Sequence, residues 1–190
     1  DIPYYVLDYT ESFSKNVVDN FIDMYAQGLT PNPCVECNRS VKFDHFLNQA
    51  KKLNCEKVAT GHYAKIIKNE NFYELHKADY LDKDQSYVLH MLKSDDLENI
   101  LFPLGEITKP EVRQIAARLG LKTAFKKDSQ DICFVGKKDY RSFVEKRIDL
   151  TSAGEIFDVN GNKVGNHNGI HEFTVGQRKG LPGGQATPRY

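Results

Sequence analysis

Long apolar runs are missing from this chain: none of its 190 residues fall in a stretch near the roughly 20 apolar residues that a membrane helix needs. No charged-then-apolar leader stands at the N-terminus either, so the expectation is a cytoplasmic protein with no membrane partner. Cysteine is scarce. Cys34, Cys37, Cys55 and Cys133 are irregularly spaced, which excludes a secreted disulfide framework and points to a reducing compartment where thiols serve as chemical tools. Net charge is also absent, since 26 Lys and Arg balance 26 Asp and Glu, and this argues against holding nucleic acid by bulk attraction. An initiator methionine is lacking, and the chain ends after a Gly/Pro-rich run, so a piece of a longer protein is expected.

What is present is ordinary for a globular chain, with 40% hydrophobic and 27% charged residues in a length that suits one domain and part of a second. Charge is locally uneven. Residues 1–25 hold five acids and one lysine, whereas 122–147 hold eight basic residues and four acids, a patch suited either to phosphates or to plain solvation.

Residues 2–7 (IPYYVL) read as a buried strand. Phe13, Val17, Phe21, Met24 and Tyr25 follow at helical spacing, with Gly28 as the stop. Asn38 is a candidate cap for a second helix carrying Val41, Phe43, Phe46, Leu47, Ala50 and Leu53. Lys57 to Thr60 reads as another buried strand, with Gly61 and His62 at its carboxyl end, where open α/β sheets place ligands. A hairpin is expected around Asn69-Glu70-Asn71. Thr108, Pro110 and Glu111 start a helix whose buried face is Val112, Ile115, Ala116 and Leu119, closed by Gly120. Ile132 to Val135 reads as a short apolar strand, a helix is expected from Asp139 to Arg147, and Asn160-Gly161 marks a hairpin. The domain boundary is placed near residue 147, with residues 148–190 forming an incomplete β-rich domain.

The chemistry concentrates in Thr30-Pro31-Asn32-Pro33-Cys34-Val35-Glu36-Cys37-Asn38, which the two prolines make a rigid, exposed, non-helical loop. Cys34 and Cys37 form a CxxC pair. Half a zinc site is one reading, although Cys55 and Cys133 stand alone and supply no second pair, so no structural metal is expected. A thioredoxin-like dithiol is another. Cys133 reads either as a small core hydrophobe or, beside Lys126 and Lys127, as a reactive thiol. His62 is either a hydrogen-bonded loop histidine or a ligand contact. His167 and His171 are separated by Gly169 in turn-like sequence, which disfavours a metal pair, and Arg178-Lys179 suits phosphate contact or a solvated turn.

Read in order, NPCVECN (32–38), ATGHYA (59–64), KDQSY (83–87), FPLG (102–105), DSQDICF (128–134) and TVGQRKGL (174–181) resemble the tRNA-specific 2-thiouridylase family across essentially the whole chain. The resemblance implies an α/β fold: the C-terminal part of a Rossmann-like PP-loop ATP pyrophosphatase (HUP-type) domain with a parallel sheet over residues 1–147, then the start of a small β-rich tRNA-binding domain. It implies transfer of sulfur to C2 of the wobble uridine of tRNA, activated by ATP with Mg. Cys133 would carry the persulfide and Cys37 would be the nucleophile, with a Cys37–Cys133 disulfide as the spent form. Asn32, Pro33 and Cys34 would line the target base, Gly61 would face ATP, and His62, Lys83, Asp84 and Gln85 would contact tRNA. The sulfur would come from a relay protein or a cysteine desulfurase.

Two departures from the family pattern stand out. Cys34 occupies a position where many members have Asp, and the SGGxDSS phosphate loop occurs nowhere in the 190 residues. The chain alone is therefore expected to be inactive. A non-catalytic tRNA-binding piece and a thiol-disulfide oxidoreductase using Cys34 and Cys37 are the rival readings.

Overall fold

The computed structural model describes residues 2–128, 131–136, 139–148, 152–177 and 179–181. The chain divides into two compact units, one made of Asp1–Asn16 with Cys34–Ser129, the other of Val17–Pro33 with Gln130–Tyr190.

In the first unit, α1 (Thr10–Phe13) leads the chain in, and Ser12 Oγ lies 2.9 Å from His45 Nε2. The short helix α3 (Pro33–Glu36) widens into a π-helical segment, Cys37–Phe43, and continues as α4 (Asp44–Lys52). The parallel pair joins β1 (Val58–Ala59) to β4 (Ile100–Leu101), in register Val58 with Ile100. The hairpin of β2 (Ala64–Lys68) and β3 (Tyr73–Lys77) is antiparallel, as its polar turn predicts. Helix α5 (Ser94–Leu97) precedes β4. Phe43, Leu47, Ala64, Val88, Leu89, Ile100 and Phe102 form the core, so the helix over the sheet and the hairpin beside it share one apolar centre. The α/β class with a parallel strand pair agrees with expectation.

Gly105 explains why FPLG ends in glycine. An added Cβ there would overlap the Ala64 carbonyl oxygen, and the Gly105 carbonyl accepts from Asp79 N at 2.9 Å. Helix α6 (Lys109–Arg118) starts on a complete capping box, in which Thr108 accepts from Glu111 N and the Glu111 carboxylate accepts from Thr108 N. Gly120 closes it at φ +67°.

In the second unit, Phe21, Ile22 and Tyr25 of α2 (Asn20–Ala26) pack with Val144 of α7 (Tyr140–Glu145), and Ile132, Phe134 and Val135 press against them. Phe21 meets Phe134 edge to face at 5.3 Å, and Tyr25 stacks on Tyr140 at 4.7 Å. The antiparallel pair β5 (Gly154–Phe157) and β6 (Lys163–His167) turns at Gly161, φ +82°.

Five local expectations are corrected. Residues 2–7 form no strand, and Ile2 is 92% exposed; an apolar run becomes a strand only when a neighbour completes its ladder, and no described strand pairs with it. Pro33 opens a helix instead of prolonging a loop, because the first turn needs no N–H from it, so Cys34 and Cys37 are helical. Asn38 is a buried side chain inside the π-helical segment, not a cap. The apolar side of α6 is not buried in this unit: Ile115 and Leu119 are exposed. Residues 132–135 fold as a turn rather than a strand, with Val135 N and Gly136 N both donating to the Ile132 carbonyl.

Gly105→Ala is expected to lower stability by about 1–3 kcal/mol, because the new methyl must push backbone rather than side chain, and urea unfolding checks it. Thr108→Ala should cost about 1 kcal/mol in the same assay, with Thr108→Ser nearly neutral.

Candidate functional site

The helix bearing Cys34 and Cys37 is fixed from one side. Val35 packs on the first unit's core, and Asn38 is buried with its amide donating to the Val88 carbonyl at 3.1 Å. Glu36 pairs with Arg39 at 2.5 Å, and its carbonyl accepts from Ser40 Oγ at 2.9 Å. With Val35 and Asn38 turned inward, Cys34 remains exposed and Cys37 half-buried. Three residues apart, they sit one helical turn from each other on one side. Asn32 is exposed and Pro33 partly covered just ahead of them. The π-helical geometry at Cys37 is of a kind concentrated at functional positions.

Gly61 and His62 follow β1. Gly61 is exposed, and a Cβ built on it would meet only Leu104 Cδ1 at 3.7 Å, so packing does not demand glycine there. His62 is buried, its Nδ1 lies 2.7 Å from Thr60 Oγ1, and its ring sits 5.9 Å from both Phe43 and Phe102. Burial, and then the positive charge of Lys42, bring its pKa down to about 4. At neutral pH it is an uncharged, packed histidine with no positive charge to offer a phosphate.

The KDQ residues divide in two. Asp84 accepts from Ala78 N at 2.8 Å and from Ser86 Oγ at 2.7 Å; Gln85 accepts from Tyr63 N at 3.1 Å through its side chain and donates its own N to the Tyr63 carbonyl at 2.8 Å. Asp84 is thus spent on the turn itself and on the residue after β3, and Gln85 on the residue before β2. Lys83 instead reaches Asp128 Oδ2 at 2.9 Å. Lys109 and Arg113, one turn apart on α6, reach the same carboxylate at 3.1 and 3.8 Å. The hydrogen bonds from Lys83, first, and Lys109 hold Asp128 down to about 2. Sequence reasoning passed over Lys109 and Arg113; their i, i+4 spacing was the available signal.

In the second unit Cys133 is exposed, carried on a turn whose flanking Ile132, Phe134 and Val135 are anchored in that unit's core. Of the two readings of Cys133, the small core hydrophobe does not fit its exposure. Thr174 and Gln177 tie the TVGQ turn together, and Val175 N donates to Thr30 Oγ1 at 3.0 Å, linking that motif to the start of the TPNPC stretch. His171 lies 3.2 Å from Glu145 Oε1. Among the described residues no His, Cys, Asp and Glu side chains group as metal ligands. Ser129, Gln130 and Arg178 lie outside the described residues. Gly61, His62, Lys83, Asp84 and Gln85 thus belong with Cys34 and Cys37 in the first unit, and Cys133 belongs to the second.

The family model of the tRNA methyl transferase HUP domain matches residues 1–137, and that of the tRNA methyl transferase PRC-barrel domain matches 141–190. The chain is 49% identical, over 193 aligned residues, to a tRNA-specific 2-thiouridylase MnmA of Chloroflexus aurantiacus (strain ATCC 29366 / DSM 635 / J-10-fl), covering 100% of this chain and 53% of the relative. It is 49% identical over 181 residues to a protein of the same name from Rickettsia peacockii (strain Rustic), covering 95% and 50%. The chain spans about half the length of the curated relatives it matches.

His62 is expected to stay neutral on titration from pH 8 to 5 and to protonate only near pH 4, which its ring-proton NMR shift checks. The unfolded chain takes up this proton near pH 6.5, so His62 favours folding above that pH, and its contribution is lost as pH falls from 6.5 to about 4. His62→Phe should remove that part of the acid sensitivity.

Proposed function

The chain belongs to the tRNA methyl transferase HUP-domain family, and from that premise we propose that it is part of a tRNA 2-thiouridylase that places sulfur on C2 of the wobble uridine. Residues 1–147 form the C-terminal part of the nucleotide-binding catalytic domain in this reading, and 148–190 the start of the β-rich tRNA-binding domain. The observation that carries it is the 49% identity over the whole chain to proteins named tRNA-specific 2-thiouridylase, together with an exposed thiol at Cys133.

Cys133 bears the transferable sulfur as a persulfide, received from a relay protein or a cysteine desulfurase. The outer sulfur bonds to C2 of the uridine as the activated oxygen leaves. The Cys37 thiolate then attacks Cys133 Sγ, the S–S bond to the delivered sulfur breaks, and its electron pair stays with the sulfur as 2-thiouridine forms. Cys37 and Cys133 end as a disulfide, which an external thiol reduces. Asn32, Pro33 and Cys34, ahead of and within the helix bearing Cys37, line the flipped base. ATP with Mg supplies the leaving group at C2 when bound. Gly61, exposed at the end of β1, is the residue of this chain open to it. No glycine-serine loop for its phosphates occurs in the sequence, so the residues present do not complete an ATP site. Lys83 faces tRNA, Asp84 and Gln85 hold the loop around it, and His62, packed between Phe43 and Phe102, fixes the stretch that follows β1. The cytoplasm is the compartment that suits these partners.

A second reading, a thiol-disulfide oxidoreductase using Cys34 and Cys37, draws on their spacing of one helical turn; a non-catalytic tRNA-binding piece draws on the missing phosphate loop. In the full-length protein, Cys133→Ser and Cys37→Ser should each reduce 2-thiouridine to background, measured by mass spectrometry of tRNA nucleosides. Retained 2-thiouridine in Cys133→Ser sinks the sulfur-carrier assignment and leaves the Cys34/Cys37 couple as the alternative. The 190-residue chain by itself should hydrolyse no ATP above a buffer blank.

A further inference from the structure

Three cations share one carboxylate in the first unit. Lys83 Nζ meets Asp128 Oδ2 at 2.9 Å, while Lys109 Nζ and Arg113 Nη2 meet Oδ1 at 3.1 and 3.8 Å, so two positive charges remain after the single negative one is counted. All four side chains are partly open to solvent, where paired charges contribute little and crowded like charges repel. Stability alone gives little reason for such a cluster.

A second observation comes from Tyr63. The residue is only 5% exposed, Lys109 Nζ stands 5.6 Å above its ring, and its hydroxyl has no hydrogen-bond partner. Burial, and then the charge of Asp128, push the phenol's pKa up, while Lys83 and Arg113 pull it down. The ring thus backs the Lys109 ammonium from the protein side, leaving its other side to solvent.

We propose that Lys83, Lys109 and Arg113 form a binding site for a phosphodiester of the RNA backbone, in which Asp128 is the internal anion that the phosphate displaces and the buried ring of Tyr63 is the floor under Lys109. A phosphate presents paired oxygens much as a carboxylate does, and guanidinium and ammonium donors read both. The cluster's side chains lie open at the surface, which suits a long backbone passing over them. The inference rests on the reading that the protein acts on tRNA and extends it to residues outside the KDQ motif.

The test is binding of fluorescently labelled, unmodified tRNA to the full-length protein over a series of salt concentrations, with ATP binding measured in parallel. Lys109→Gln and Arg113→Gln should each weaken tRNA binding by roughly 3–10-fold and lower the slope of log affinity against log salt by about 1, leaving ATP binding unchanged. Asp128→Asn should tighten tRNA binding several-fold, because the competing carboxylate charge is gone. Unchanged slopes in both glutamine variants, or losses confined to ATP, overturn the proposal, as does a folded Asp128→Asn protein that binds tRNA no tighter than the parent. Should Asp128→Asn fail to fold, the two glutamine variants decide. A parent protein without affinity for tRNA would defeat the function on which the site rests, an outcome distinct from normal binding that ignores these substitutions.

Discussion

The amide of Asn38 donates to the Val88 carbonyl inside an otherwise apolar core, and the first unit's site is arranged around that bond. It ties the helix bearing the CxxC pair to the short helix that follows KDQ. Gln85 then joins the KDQ turn to Tyr63, directly before β2, and Gly105 closes on Ala64 one residue further. Four stretches far apart in the chain are thus held by a few polar bonds and one close backbone contact. An amide in such a core is costly to strand, so the helix cannot shift without losing its partner.

This arrangement separates two tasks within motifs that read as purely functional. Asp84, Gln85, His62 and Asn38 have side chains engaged in local bonds or buried among rings, while Cys34 and Gly61 are exposed and Lys83, half-exposed, pairs with Asp128. Cys37 is half-covered on a helix anchored by its neighbours, and Cys133 is presented by a turn whose apolar flanks are buried. The two thiols thus differ in how far the fold covers them.

Local chemistry was legible. The capping box at Thr108, the stop at Gly120, the Asn69 to Asn71 hairpin and the Asn160-Gly161 turn depend on residues a few positions apart, so they appear as the sequence predicts. Residues 2–7 and 132–135 were misread because an apolar run has the same appearance whether it pairs in a sheet, lies exposed or anchors a turn. The proline-rich stretch was misread for the opposite reason: proline breaks helices in their interior and starts them at their first turn, and position decides which.

By itself the sequence determined the membership of the family, the identity of the thiols, the caps and turns, and the lack of a phosphate loop, because each depends on residue type and short spacing alone. Only the tertiary structure decided that His62 is neutral, that Asn38 is a buried tie, that Cys133 faces outward, and that Lys83, Lys109 and Arg113 meet at Asp128. Those outcomes come from burial and from charges brought together by folding: Lys83 and Asp128 are 45 positions apart in the chain and 2.9 Å apart in space.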